Sequence, residues 1–236
     1  MEYLQYATFL QLLELLAAMA GSFYLFRVKP RNKYTKYLVY FLWLTFVVEI
    51  VGIYSSYAYF SDYKKLSFLK DSVFQRNFWL YNIKGIIEFS VLAYFFRSFI
   101  KTVSWKKTLK YLALFFILST ILNLIFSGSY FMAYAAYTAI AGTILVLISV
   151  GFYFCEMLKS EAILKFKSSL TFYIAIGVLF FQIVLTPLKI YSRFFIESSN
   201  PEFVALWKPL LVIANVFMYT CFIIGFLICS QKKRSY

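Results

Sequence analysis

The sequence predicts an all-α integral membrane protein, one bundle of seven transmembrane helices with its N-terminus outside and its C-terminus in the cytoplasm. Three observations carry that reading. Of 236 residues, 62% are hydrophobic and only 14% are charged, whereas a soluble domain carries about 25% charged and about 45–50% apolar residues. Seven apolar stretches, about 4–26, 38–60, 78–100, 111–127, 132–156, 169–190 and 207–229, reach or approach the ~20 residues that cross a hydrocarbon core. Lysine and arginine gather in alternate connections, which marks the cytoplasmic side.

In a lipid core no water is available to the backbone, so a spanning segment must satisfy its own hydrogen bonds. Stretches of this length do so as helices, because barrel strands run only about 9–11 residues. The spans use up most of the chain. Short connections remain, and residues 1–236 read as a single membrane domain.

The first stretch follows Met1-Glu2, and its basic cluster comes after the apolar run. A secretory signal has the reverse order and a short core, so this is read as a retained span entering from outside. The second carries Glu49 near its centre, and the third opens on Trp79 and holds Lys84 and Glu88 one helical turn apart on one face. The fourth is the shortest and contains Asn123. Only Ser127-Gly128-Ser129-Tyr130-Phe131 separates it from the fifth, which predicts a tight helical hairpin.

The sixth span has Gln182 near its middle and Thr186-Pro187 near its outer end. Proline removes a backbone donor and can kink a helix, so this span, with Gly177 on it, is the expected moving or bent element. The seventh opens on Trp207, takes Pro209 as a first-turn proline and has Asn215 near its middle.

The basic side holds Arg27, Lys29, Arg31, Lys33 and Lys36, then Arg97, Lys101, Lys106, Lys107 and Lys110, then Lys159, Lys165 and Lys167, and finally Lys232, Lys233 and Arg234. The other side has fewer than half as many: Lys64, Lys65, Lys70, Arg76, Lys189, Arg193 and Lys208. Basic side inward is the resulting orientation. Cations there meet the anionic lipid headgroups of the cytoplasmic leaflet, each contributing about 1 kcal/mol. Arg27, Lys29, Arg31, Lys33, Lys106 and Lys107 are the expected contacts to lipid or to a cytoplasmic protein partner, and self-association into a homo-oligomer is compatible with the same sequence.

The net charge of +14 therefore needs no nucleic acid, which would want a basic, aromatic-studded face on a soluble domain. The expected location is the plasma (cytoplasmic) membrane. Trp79, Trp105 and Trp207 at span ends read as interfacial anchors.

A repeat is also legible. Glu49-Ile50-Val51 and Gln182-Ile183-Val184 are each followed, at equal separation, by Asn82-Ile83 and Asn215-Val216. Spans 1–3 and 5–7 then form a 3+1+3 plan of parallel repeats.

The chemistry excluded is as telling. There is no histidine, and Cys155, Cys221 and Cys229 fall in or at the inner end of apolar spans without metal-ligand spacing. No metal or cofactor is expected. Nucleophile elbow, P-loop, His-Glu-x-x-His and Asp-x-x-Asp patterns are all missing, so no enzymatic reading is favoured. A retinal pigment needs a lysine in the middle of span seven, where Asn215 and Phe217 stand, with Lys208 only at the edge.

What remains are polar residues at membrane depth: Glu14, Glu49, Lys84 and Glu88, with Asn123, Gln182 and Asn215. An ionised residue at a helix centre costs about 2.5–3.5 kcal/mol on insertion scales, so these should face the bundle interior. As a purely structural device, Lys84 would pair with Glu88 within the helix, and Glu49 would tie to Asn215 or Gln182. Interhelical polar contacts average only about 0.6 kcal/mol in membranes, a poor return for three carboxylates. The sequence therefore points to a transporter or ion-conducting protein in which one carboxylate exchanges a proton while Gln182 and Asn215 bind the substrate. The alternative is a seven-helix receptor or accessory subunit that passes a signal through its basic loops.

Overall fold

A computed structural model describes residues 2–30, 32–191 and 201–231. It is all-helical, with 85% of residues in helix and no strand among those described. The long helices are α1 (Glu2–Val28), α2 (Lys33–Phe60), α3 (Phe78–Arg97), α4 (Val103–Phe126), α5 (Ala136–Leu158), α6 (Leu170–Tyr191) and α7 (Pro201–Gln231). Six of them, all but α3, are long and apolar enough to cross a membrane. The α3 helix has 20 residues but carries Asn82, Lys84 and Glu88, which lower its hydropathy.

The helices pack as a closed ring in the order α1, α2, α3, α5, α6, α7 and back to α1, with α4 outside against α3 and α5. Small residues set the closest approaches, as they do where apolar solvation alone cannot drive helices together. A Cβ added at Gly142 of α5 would overlap the Phe89 ring of α3. One at Gly177 of α6 would come within 3.1 Å of the Met218 carbonyl of α7. Gly177 therefore lets two helices touch, and α6 runs unbroken through Pro187.

Local chemistry explains the ends. Lys29, just before Pro30, leaves the helical region at φ 49°, since proline disfavours helix in the residue preceding it. Asn32 then caps α2, its side-chain oxygen accepting from the Tyr34 amide at 3.0 Å. Gly128 turns the chain after α4 at φ 63°, a left-handed conformation that glycine adopts without strain.

Several sequence boundaries need correction. The fourth helix is not short: it has 24 residues and begins at Val103, so Trp105, Lys106, Lys107 and Lys110 ride on its first turns and not in a loop. The fifth stretch is split into a single turn, Ser129–Met132, and a helix from Ala136. The last helix starts at Pro201, which takes the first-turn place and leaves Pro209 and Trp207 inside the helix. Pro209, two turns in, lacks the amide that would bond back one turn, yet the helix extends upstream of both residues. Arg31, Arg193, Lys232, Lys233 and Arg234 lie outside the described residues.

At one end of the bundle the Asn32 amide donates to Ser98 Oγ at 2.7 Å. This joins the α1–α2 connection, with Arg27, Lys29 and Lys33, to the α3–α4 connection beside Lys106 and Lys107. Trp105 stacks on Phe152 with ring centres 4.9 Å apart, and Lys159 sits 5.1 Å over the Trp105 ring. At the opposite end, Trp79 donates to the Tyr54 hydroxyl at 3.1 Å, and Tyr54 donates to the Phe74 carbonyl at 2.8 Å. These contacts pin the 61–77 connection onto α2.

Candidate functional site

Four helices contribute to a polar cluster within the ring. Lys84 of α3 directs its ammonium across to Glu49 of α2, with Nζ 2.7 Å from Oε1. The other oxygen of Glu49 accepts from the Tyr81 hydroxyl, also at 2.7 Å. Both are charge-assisted bonds at the short end of their range, and together they occupy both oxygens of the carboxylate.

The helical period explains this placement. Tyr81, Lys84 and Glu88 lie three and four residues apart, so they share one face of α3. That face turns to α2 and α1. Lys84 thus pairs between helices, and not with Glu88 along its own, because Glu49 reaches the ammonium directly. Glu88 is half-buried.

Glu14 of α1 completes the group. It is 6% exposed, and its Oε1 accepts from the Tyr219 hydroxyl of α7 at 3.2 Å. Its Oε2 is buried with no hydrogen-bond partner. Glu14 and Lys84 each lie within electrostatic reach of the other and of both Glu49 and Glu88. One base stands against three acids.

The other sequence candidates lie elsewhere. Gln182 of α6 is fully buried and its Oε1 accepts from Thr143 of α5 at 3.0 Å, with the Thr186 hydroxyl 3.1 Å from that of Thr143. This is a second polar cluster on the far arc of the ring. Asn215 donates to the Leu211 carbonyl one turn back in its own helix, at 2.8 Å. Neither residue reaches Glu49. Asn123 sits half-buried on α4, outside the ring.

Four side chains in these clusters, Tyr81, Tyr219, Thr143 and Thr186, were not among the sequence candidates for the site. Tyr81 and Tyr219 were hidden among 21 tyrosines, most of which suit interfacial anchoring. The three-residue spacing of Tyr81 from Lys84 was the available signal. Thr143 had none.

A separate open cavity of about 450 Å³ lies where α2 meets the 61–77 connection, lined by Ser55, Tyr59, Tyr63, Gln75 and Arg76 among others. Gln75 is held there by two bonds: its carbonyl accepts from Ser55 and its amide donates to Tyr63, each at 3.0 Å. Among the described residues no group of three His, Cys, Asp or Glu is placed to hold a metal ion, and no disulfide links the three cysteines. Comparison of the chain with family models, with curated proteins and with solved structures finds no match.

Proposed function

We propose that the chain is a seven-span membrane protein that moves an ion or small solute through a polar site at mid-membrane. The observation that carries the proposal is the convergence of Glu14, Glu49, Lys84 and Glu88 from three helices, with Tyr219 from a fourth. Ionisable residues inside a membrane are costly and mark ion or substrate paths more often than they serve stability. In this reading α3 is the seventh span. Its charges turn to α2 rather than to lipid, and its neighbours α2, α4 and α5 shield it.

The basic residues gathered at one end support an orientation with the N-terminus outside. The position of α4 outside the ring supports a 3+1+3 plan, in which the linker helix belongs to neither unit. Asn82 and Asn215 do not occupy matching environments, so the likeness of the halves is one of helix order.

Proton-coupled flux in proteoliposomes tests the proposal. Glu88→Gln is the cleanest variant, because Glu88 is not a partner in the bonds that tie Glu49 to Lys84 and Tyr81. Flux is expected to fall to background while the protein melts as the wild type does. Flux that survives in Glu88→Gln and in Glu49→Gln sinks the site.

The cavity beside Arg76 favours a second reading, a receptor or accessory subunit binding a ligand from outside. The joined basic connections 27–37 and 101–110 would then contact a cytoplasmic protein. Scrambling the two segments should abolish capture of a specific partner from native membranes. A protein that is unaccompanied there argues against this reading.

A further inference from the structure

Glu14 is the member of the cluster whose bonding is incomplete. Its carboxyl is 6% exposed, one oxygen accepts from Tyr219, and the other meets no donor. The titratable and charged groups that face it are Tyr219 from α7, Glu49 from α2, and Tyr81, Lys84 and Glu88 from α3. The one ammonium among them hydrogen-bonds Glu49 and acts on Glu14 only through space.

An ionised Glu14 would therefore keep a bare oxygen and an only partly balanced charge away from water. The protonated acid leaves only a neutral hydroxyl without an acceptor, a far smaller cost. A metal ion is the other way to neutralise the group, but hard cations take about six oxygen ligands. Among the described residues no three His, Cys, Asp or Glu side chains are so placed. A proton is the cation that a single carboxyl binds alone.

We propose that Glu14 is the proton-carrying carboxyl of this site, with its proton on Oε2 and with Tyr219 holding Oε1. The proposal rests on the transport reading and gives it a coupling ion and an address. The Glu49–Lys84 pair is the fixed element upon which Glu14 acts. When Glu14 releases its proton to water on one side, its carboxylate competes with Glu49 for the Lys84 ammonium and loosens the α2–α3 contact. A proton regained from the other side restores the pair. No further reactant is needed.

Infrared difference spectra of the full chain in lipid, taken across a pH step, test this without requiring flux. The carbonyl stretching band of a protonated carboxyl is expected in the wild type, absent in Glu14→Gln and retained in Glu88→Gln. In Tyr219→Phe the band should move to higher frequency, because Oε1 loses its donor. That variant keeps the test alive if Glu14→Gln fails to fold. A band that survives in Glu14→Gln, disappears in Glu88→Gln or ignores Tyr219→Phe overturns the proposal. Wild-type protein with the Glu14 band but no proton flux upholds the proton site and sinks the transport reading. Flux without that band overturns the proton site alone.

Discussion

Glu49→Gln is expected to destabilise the folded protein by about 3 kcal/mol, the low end of the 3–5 kcal/mol seen when one partner of a buried ion pair is removed. The Lys84 and Glu49 side chains are 14% and 24% exposed, so bulk solvent screens the pair only weakly. The variant leaves the ammonium facing a neutral amide. Glu88, one turn away on the same helix face, is the fallback partner, which is why the low end is chosen. Lys84→Met removes the only base in the cluster and leaves Glu49 with Tyr81 alone.

The double variant Glu49→Gln/Lys84→Met should recover at least about 1 kcal/mol over the sum of the singles, since coupling of contacting pairs runs about 0.5–3 kcal/mol. Unfolding of each variant in lipid nanodiscs measures all three values. Strict additivity would mean that the 2.7 Å contact contributes nothing to folding.

The helices were legible because a bilayer imposes one simple demand, a long apolar run with internal hydrogen bonds. Boundaries were less so, because the ends depend on local capping and not on hydropathy. Lys106, Lys107 and Lys110 look like loop residues, yet they extend α4 as exposed or half-buried positions of its first turns. Pro201 could start a helix six residues before the apolar run that opens on Trp207, since early helical turns tolerate proline.

The candidate site was legible in kind and not in pairing. Insertion cost alone singles out Glu14, Glu49, Lys84 and Glu88. Which of them meet depends on helix phase, and a one-residue error turns a side chain by about 100°. Along one helix Lys84 and Glu88 are neighbours on paper. The ring arrangement brings Glu49 nearer, because α2 packs directly on the α3 face that carries the lysine. Gln182 and Asn215 look equivalent by depth, yet the ring places one against Thr143 and leaves the other bonded to its own helix.

Asn82→Ala is expected to cost about 3 kcal/mol and to release the connection between α4 and α5. Asn82 is buried, 3% exposed, and it acts as a three-point clamp. Its Nδ2 donates to the carbonyls of Tyr130 and Ala133, and its Oδ1 accepts from the Ala135 amide, all at 3.0 Å. The split of the fifth stretch at residues 133–135 leaves those backbone groups without helical partners, and Asn82 supplies what the helix does not. Each buried group left unpaired costs about 1–3 kcal/mol. Two of the three are carbonyls at a helix end, which water can partly reach, so the losses do not sum in full.

Asn82→Asp separates the components. It keeps the acceptor for Ala135 but turns both donors into a lone-pair oxygen aimed at two carbonyls. It should therefore be no more stable than Asn82→Ala, despite being closer in shape. Hydrogen exchange reads the site directly: protection of the Ala135 amide should collapse in Asn82→Ala and persist in Asn82→Asp. Equal protection in all three proteins would show that α5 holds its own start, and that Asn82 is a polar passenger in an apolar helix.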